Sequence, residues 1–276
     1  MINLRKITLF LVISFCLSWG VFGLVFLRGG ELQLEALGLV VAASMFAPAA
    51  AALIVKRFVY GESVSSYGFG FRKYEYLIIA WLLPVVLSLA AAFITVALGL
   101  AGFDPEMKDF IGLFPEGIRQ AGVPPYYVVF LFSLFLPVVV NSLFTIGEEL
   151  GWRGFLQDEL KPLGRKRSYL LIGMIWGIWH APIILLGHNY PGYPALGVIW
   201  MLIFSIELSF IFGWLKDASG SMWAPIIAHA SLNGPGMVPL MFLSGLNTLL
   251  GSLLGVVGFV LMGLFIWWLM ASKNIT

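Results

Sequence analysis

The stretch that decides the fold is YYVVFLFSLFLPVVVNSLFTIGEELGWR, residues 126–153. From Tyr126 to Gly147 it carries no charge, a run long enough for a helix to cross a hydrocarbon core. It then ends, still among apolar neighbours, on Glu148, Glu149 and Arg153. A soluble protein places such charges on its surface. Here they close a segment that belongs in lipid, where each ionisable group costs several kcal/mol and is by default functional. Two questions follow: does the rest of the chain also belong in a membrane, and does it supply partners for these groups?

The composition answers the first. Hydrophobic residues make up 60% of the 276 and charged ones 11%, well under the roughly 25% charged residues of soluble domains. So little polar surface excludes an ordinary soluble fold, and a net charge of +2 gives no reason to expect nucleic acid as a partner. The single cysteine, Cys16, excludes a disulfide framework and a cysteine metal site, and is expected to be a small packing residue. Arg5 and Lys6 precede an apolar run that is too long for the core of a signal peptide and lacks a small-x-small cleavage site. It is expected to be a spanning helix.

Apolar windows fall at about 7–27, 35–55, 76–100, 126–148, 168–187, 197–215, 221–242 and 247–270. Pro84, Pro137, Pro182 and Pro225 lie inside them, which membrane helices tolerate. The basic residues test this plan independently. Arg5/Lys6, Lys56/Arg57/Arg72/Lys73, Lys161/Arg165/Lys166/Arg167, Lys216 and Lys273 fall at alternate ends of successive windows. Those are 12 of the 16 Lys and Arg. Arg28, Lys108 and Arg119 sit at the other ends, Arg153 stands apart, and the 102–124 connection is acidic. The expectation is an all-α polytopic bundle of about eight transmembrane helices with both termini cytoplasmic. It forms a single domain over 1–276 with no repeat. Residues 149–160 continue the fourth helix until Pro162-Leu163-Gly164 stops it.

Helical spacing sorts the intramembrane polar groups. Glu149 and Arg153 are i and i+4 and can pair, either as part of a site or as a packing pair. Asn141, Thr145 and Glu148 share one stripe, Trp176 and His180 another, His229 and Asn233 a third. Glu148 lies 13 residues from Lys161, His180 13 from Arg167, and His229 13 from Lys216. At 1.5 Å per residue each is at most about 20 Å from a basic end. A lone membrane histidine is commonly just an interhelical hydrogen-bond donor, but three groups at matched depth point to a constellation. Glu207 stands alone and is expected to be structural or substrate-lining; His188 is expected to be solvated in its loop.

Such a set can hydrolyse. A carboxylate held in a dry site is a candidate general base, so Glu148 would take a proton from water that His180 helps to hold. His229 and Asn233 would supply donors for the developing oxyanion. Arg153 would hold Glu149 or bind a substrate carboxylate. No Ser, Cys or Asp is placed as an evident nucleophile, which favours direct attack by water. Glu148, His180 and His229 are also acceptable zinc ligands. The zincin pattern His-Glu-x-x-His is absent, and the choice between metal-bound and glutamate-activated water stays open.

Glu148-Glu149-Leu-Gly-Trp-Arg153, Trp176-Gly-Ile-Trp-His180 and His229-Ala-Ser-Leu-Asn233 resemble, in order, the three motifs of the CPBP intramembrane proteases. That group comprises the type II CAAX prenyl endopeptidases and the bacteriocin-processing or immunity proteins, also called the Abi family. Members usually carry Phe where this chain has Trp176. The resemblance covers about 140–235. It implies a membrane-embedded endopeptidase open to the cytoplasmic side; the expected location is multi-pass in the plasma membrane of a prokaryote. Glu148, Glu149, Arg153, His180, His229 and Asn233 would be its site residues. The cofactor is open: a divalent metal such as zinc is described for the family, and so is a metal-free glutamate mechanism. The expected partners are the bilayer and a peptide or protein with a membrane-associated segment, of CAAX-like or leader-peptide type. The alternative is a non-catalytic binding, immunity or transport protein that uses the same polar pocket.

Overall fold

The computed structural model describes residues 2–27, 34–112, 116 and 125–275; Arg28 and Arg119 lie outside them. The main helices are α1 (Leu4–Leu27), α2 (Leu34–Met45), α3 (Ala47–Leu53), α4 (Tyr74–Ala97), α5 (Tyr126–Ser133), α6 (Leu136–Glu149), α7 (Arg165–Trp179), α8 (Ala181–Leu185), α9 (Pro194–Ser219), α10 (Trp223–Asn233) and α11 (Val256–Ala271). Among the described residues the only strands are Gly102–Phe103 and Leu243–Ser244, paired antiparallel. The chain is an all-α bundle.

Four helical stretches among the described residues are long and apolar enough to cross a membrane: Leu4–Leu27, Gly38–Val59, Tyr74–Ala97 and Pro194–Ser219. A fifth is formed if Tyr127–Ser133 and Leu136–Leu163, bent by 43°, count as one span. The remaining apolar windows are built differently. The window at 168–187 breaks at His180 into α7 and α8, with Pro182 in the first turn of α8. The window at 221–242 is helical as α10 only to Asn233, where Gly234-Pro235-Gly236 stops it. At 16 residues, α11 is shorter than the roughly 20 that a hydrocarbon core asks for. Hydropathy thus marks where the chain is apolar, whereas breaks imposed by proline and glycine decide which windows become long helices.

The fourth window does run on past the two glutamates. After α6 the residues Leu150–Leu156 form a π-helical segment, followed by Gln157–Leu160 and a 3₁₀ turn at Lys161–Leu163. Gly164, at φ +81°, ends it. π turns inside α-helices occur frequently at functional sites, and this one begins directly after Glu149.

Two close helix approaches bring the polar groups together. A Cβ on Gly147 would lie 2.5 Å from the Met45 carbonyl oxygen, and one on Gly151 2.3 Å from Pro48 Cβ. A Cβ on Gly173 would lie 2.4 Å from Ile206 Cα, and one on Gly177 2.7 Å from Leu202 Cα. Each pair is a small-xxx-small seam that lets backbones touch, the device membrane helices use in the absence of a hydrophobic driving force between them. One seam brackets Glu148 and Glu149; the other brackets Trp176. Cys16, expected to pack, is exposed on α1 instead.

Candidate active site

Helix α1 fixes the end of α7 through tryptophan. Trp179 Nε1 donates to Ser18 Oγ (2.7 Å) and Trp19 Nε1 donates to the Trp179 carbonyl (3.0 Å). Trp152, on the π segment, meets Trp179 edge-on at 5.9 Å. Helix α10 is held by Ser231 Oγ donating to the Trp81 carbonyl and by Thr145 Oγ1 donating to the Ile226 carbonyl. Thr145, read as part of the α6 polar stripe, is therefore spent on positioning α10.

Between these helices lies a cavity of about 300 Å³. Glu148, His180, His229 and Asn233 all line it, with Asn141 and Trp176 beside them. Glu148 and His229 are buried, whereas Asn233 is exposed at the C-terminal end of α10. His188, expected to be solvated, is exposed but lines the same cavity next to Asn189. The exposed rim thus lies at the ends of α8 and α10 away from the basic residues.

Glu149 and Arg153 do not line the cavity; both are fully buried behind it. Glu149 Oε1 accepts from Arg153 Nη1 at 2.9 Å and lies 2.8 Å from His229 Nδ1. Of the two roles considered for Arg153, the buried ion pair matches the holding of Glu149. The guanidinium also lies over the rings of Trp176 (4.4 Å) and Phe212 (5.2 Å). That compensates Nε and Nη2, which have no hydrogen-bond partner among the described residues.

Trp176, which the sequence marks only by its spacing from His180 and its place in the second motif, is the hub of the hydrogen-bond network. Its Nε1 donates to Glu148 Oε2 at 2.6 Å. Its face carries Arg153, its backbone carbonyl is 2.8 Å from His180 Nδ1, and its ring meets His229 edge-on at 5.4 Å. A Phe at this position keeps the ring but has no proton to give Glu148. The signal was present in the departure from Phe, which reads as conservative by size and is not conservative by hydrogen bonding.

The bonds also fix which atoms face the cavity. A carbonyl only accepts, so His180 Nδ1 carries the proton toward Trp176 and the neutral ring presents Nε2 as an acceptor. His229 is held through Nδ1, leaving Nε2. Glu148 is held through Oε2, leaving Oε1. Among the described residues no three His, Cys, Asp or Glu come close enough to share a metal ion. Glu148, His180 and His229 therefore do not fit as a ligand trio in this arrangement. Glu207 does not line the cavity; it lies on α9 facing α11, where a Cβ on Gly263 would be 3.5 Å from its Oε1.

Residues 124–235 match the family model described as type II CAAX prenyl endopeptidase Rce1-like. The chain is 38% identical over 107 residues to CAAX prenyl protease 2 of Methanococcus maripaludis, a match covering 36% of this chain and 39% of that protein. The chain thus matches about two fifths of the length of that relative. Both findings fall on the region that carries the three motifs.

Proposed function

We propose that this protein is an intramembrane endopeptidase in which Glu148 activates a water for direct attack on a peptide bond. The observation that carries this reading is the convergence of Glu148, His180, His229 and Asn233 on one cavity, with Glu149 and Arg153 sealed behind it. Glu148 Oε1 takes the proton of the attacking water, and His180 Nε2 accepts that water's second hydrogen. His229 donates Nε2–H to the oxyanion while Nδ1–H stays on Glu149, so in this role the ring carries both protons. Asn233, one helical turn on, adds a side-chain amide donor from the rim. Glu149 and Arg153 are positioning residues. The proton on Glu148 then passes to the leaving amine.

The substrate class we propose is a peptide or protein with a membrane-associated segment, of CAAX-like or leader-peptide type. The basic ends of the bundle face the cytoplasm, as the charge alternation implies. No step is assigned to a metal. The test is cleavage of candidate peptides in liposomes by the wild type, Glu148→Ala and His180→Ala, with and without chelator. Loss of cleavage in both variants, unaffected by chelator in the wild type, is the expected result. Full activity in both variants overturns the assignment and leaves a binding or immunity role for the same pocket.

A further inference from the structure

A second cavity, of about 520 Å³, lies at the basic end of the bundle, apart from the site above. It sits where three candidate spans end: Tyr74 opens one, Leu163 and Ser219 close the others. That is the level of lipid headgroups. Four cations line it: Arg72, Lys161, Arg165 and Lys216. The two acids in its wall are already engaged. Asp158 pairs with Lys216, and Asp217 accepts from Arg165 Nε, Tyr169 Oη and Gln157 Nε2. Arg72 and Lys161 have no ion-pair partner among the described residues.

Two polar side chains in the wall are buried with an atom unsatisfied. Tyr67 and Gln157 are each 5% exposed, and Tyr67 Oη and Gln157 Oε1 have no hydrogen-bond partner among the described residues. Groups buried this deeply are ordinarily bonded. Burial, with Asp158, Glu62 and Glu159 nearby, pushes the Tyr67 phenol well above its ordinary range, so it stays a donor. Gln157 Oε1 can only accept. The first turn of α7, which contributes Arg165, carries three cations and no acid at the positive end of the helix dipole. An anion there relieves that repulsion.

We propose that this cavity binds a phosphorylated polyol, presented by a membrane lipid headgroup such as that of phosphatidylglycerol. Arg72 and Lys161 meet the phosphate, the Tyr67 hydroxyl donates to it, and Gln157 Oε1 accepts from a headgroup hydroxyl. The site is distinct from the catalytic cavity and does not depend on the reading of that cavity.

The test uses the full chain in detergent, with bound lipid measured by native mass spectrometry and thermal unfolding followed in parallel. The probes are phosphatidylglycerol, phosphatidylcholine and free glycerol 3-phosphate. The wild type is expected to retain phosphatidylglycerol over phosphatidylcholine. Arg72→Ala/Lys161→Ala, which removes two exposed cations, weakens that retention about 30-fold, and Tyr67→Phe weakens it without lowering the unfolding temperature. Lys166→Ala/Arg167→Ala removes equal charge outside the cavity and weakens retention far less. Displacement of the lipid by glycerol 3-phosphate supports the shared chemistry and identifies a soluble source as competent. Equal losses in the two double variants reduce the effect to bulk surface charge and overturn the site, as does no preference for either phosphate over phosphatidylcholine.

Discussion

The carboxylate of Glu149 has two dependants on one oxygen, which makes its removal the most informative perturbation. In Glu149→Leu, Arg153 remains fully buried with no anion, and His229 Nδ1 loses its acceptor. Breaking one side of a buried pair costs about 3–5 kcal/mol. The cation–π contacts with Trp176 and Phe212 are the same in the wild type and the variant, so they do not offset this cost. The single variant is therefore expected to lose roughly 3 kcal/mol. Glu149→Leu/Arg153→Met removes both charges at similar volume, a change that is often neutral or stabilising. His229 is left without its acceptor in both variants, at about 1–3 kcal/mol in each, so that cost cancels between them and the double variant should recover roughly 3 kcal/mol over the single one. Turnover should not recover, because His229 is no longer held; loss of one oxyanion donor costs about 100-fold or more. Stability is read from unfolding midpoints in mixed micelles and turnover from cleavage in liposomes. A double variant no more stable than Glu149→Leu refutes the buried-pair reasoning. Near-wild-type turnover in the double variant refutes the positioning role.

Other substitutions separate the remaining roles. Trp176→Phe keeps the ring under Arg153 and the carbonyl on His180 but removes the proton donated to Glu148. It should lower kcat about 10-fold with KM unchanged, the lower bound for a hydrogen bond to a charged group; a matching rise in KM would assign Trp176 to substrate contact. Gly173→Val puts a side chain where even a Cβ lies 2.4 Å from Ile206 Cα. It should lower stability by about 1–3 kcal/mol or more, and a wild-type unfolding midpoint would contradict the seam. Glu207→Gln, remote from the cavity, should leave cleavage within about twofold; a tenfold loss would bring Glu207 back into the site. In a Cys16→Ser background, His188→Cys and Lys161→Cys should react with an impermeant thiol reagent from opposite sides of sealed vesicles. Labelling from one side would overturn the placement of the cavity rim opposite the basic end.

Some of this was legible in the chain and some was not, for definite physical reasons. Long uninterrupted spans read well: windows 7–27, 76–100 and 197–215 correspond to Leu4–Leu27, Tyr74–Ala97 and Pro194–Ser219. Hydropathy is a sum over a window, and these windows contain nothing that outweighs it. The windows at 168–187 and 221–242 were read as whole spans because proline is tolerated in membrane helices. In the structure Pro182 and the Gly234-Pro235-Gly236 turn break them, and those breaks put His180 and Asn233 at helix ends. The π segment after Glu149 had no sequence signature. A π turn reflects where the backbone is held from outside, here at Gly151 against Pro48 and at Gly154 against Tyr67.

The candidate site shows the same division. Matched depth brought Glu148, His180 and His229 together on paper because distance along a helix is a one-dimensional quantity. Which of them face the cavity is a rotational question: spacing puts Glu148 on the Asn141–Thr145 stripe and pairs Glu149 with Arg153, but leaves open whether that pair belongs to the site or to packing. Their separation in the structure follows from packing: Gly147 and Gly151 press one face of the α6–π helix onto the Met45–Pro48 turn, so Glu148 looks into the cavity while Glu149 and Arg153 look away from it. The adjacent glutamates are therefore held differently. One is held through Oε2 by a neutral indole N–H and keeps Oε1 for the cavity; the other is held through Oε1 by a guanidinium and an imidazole, with Oε2 buried and unbonded among the described residues. A proton acceptor has to reach the water it activates, which is why the proposed general base is Glu148, whose carboxylate lines the cavity, and the proposed positioning residue is Glu149, buried behind it.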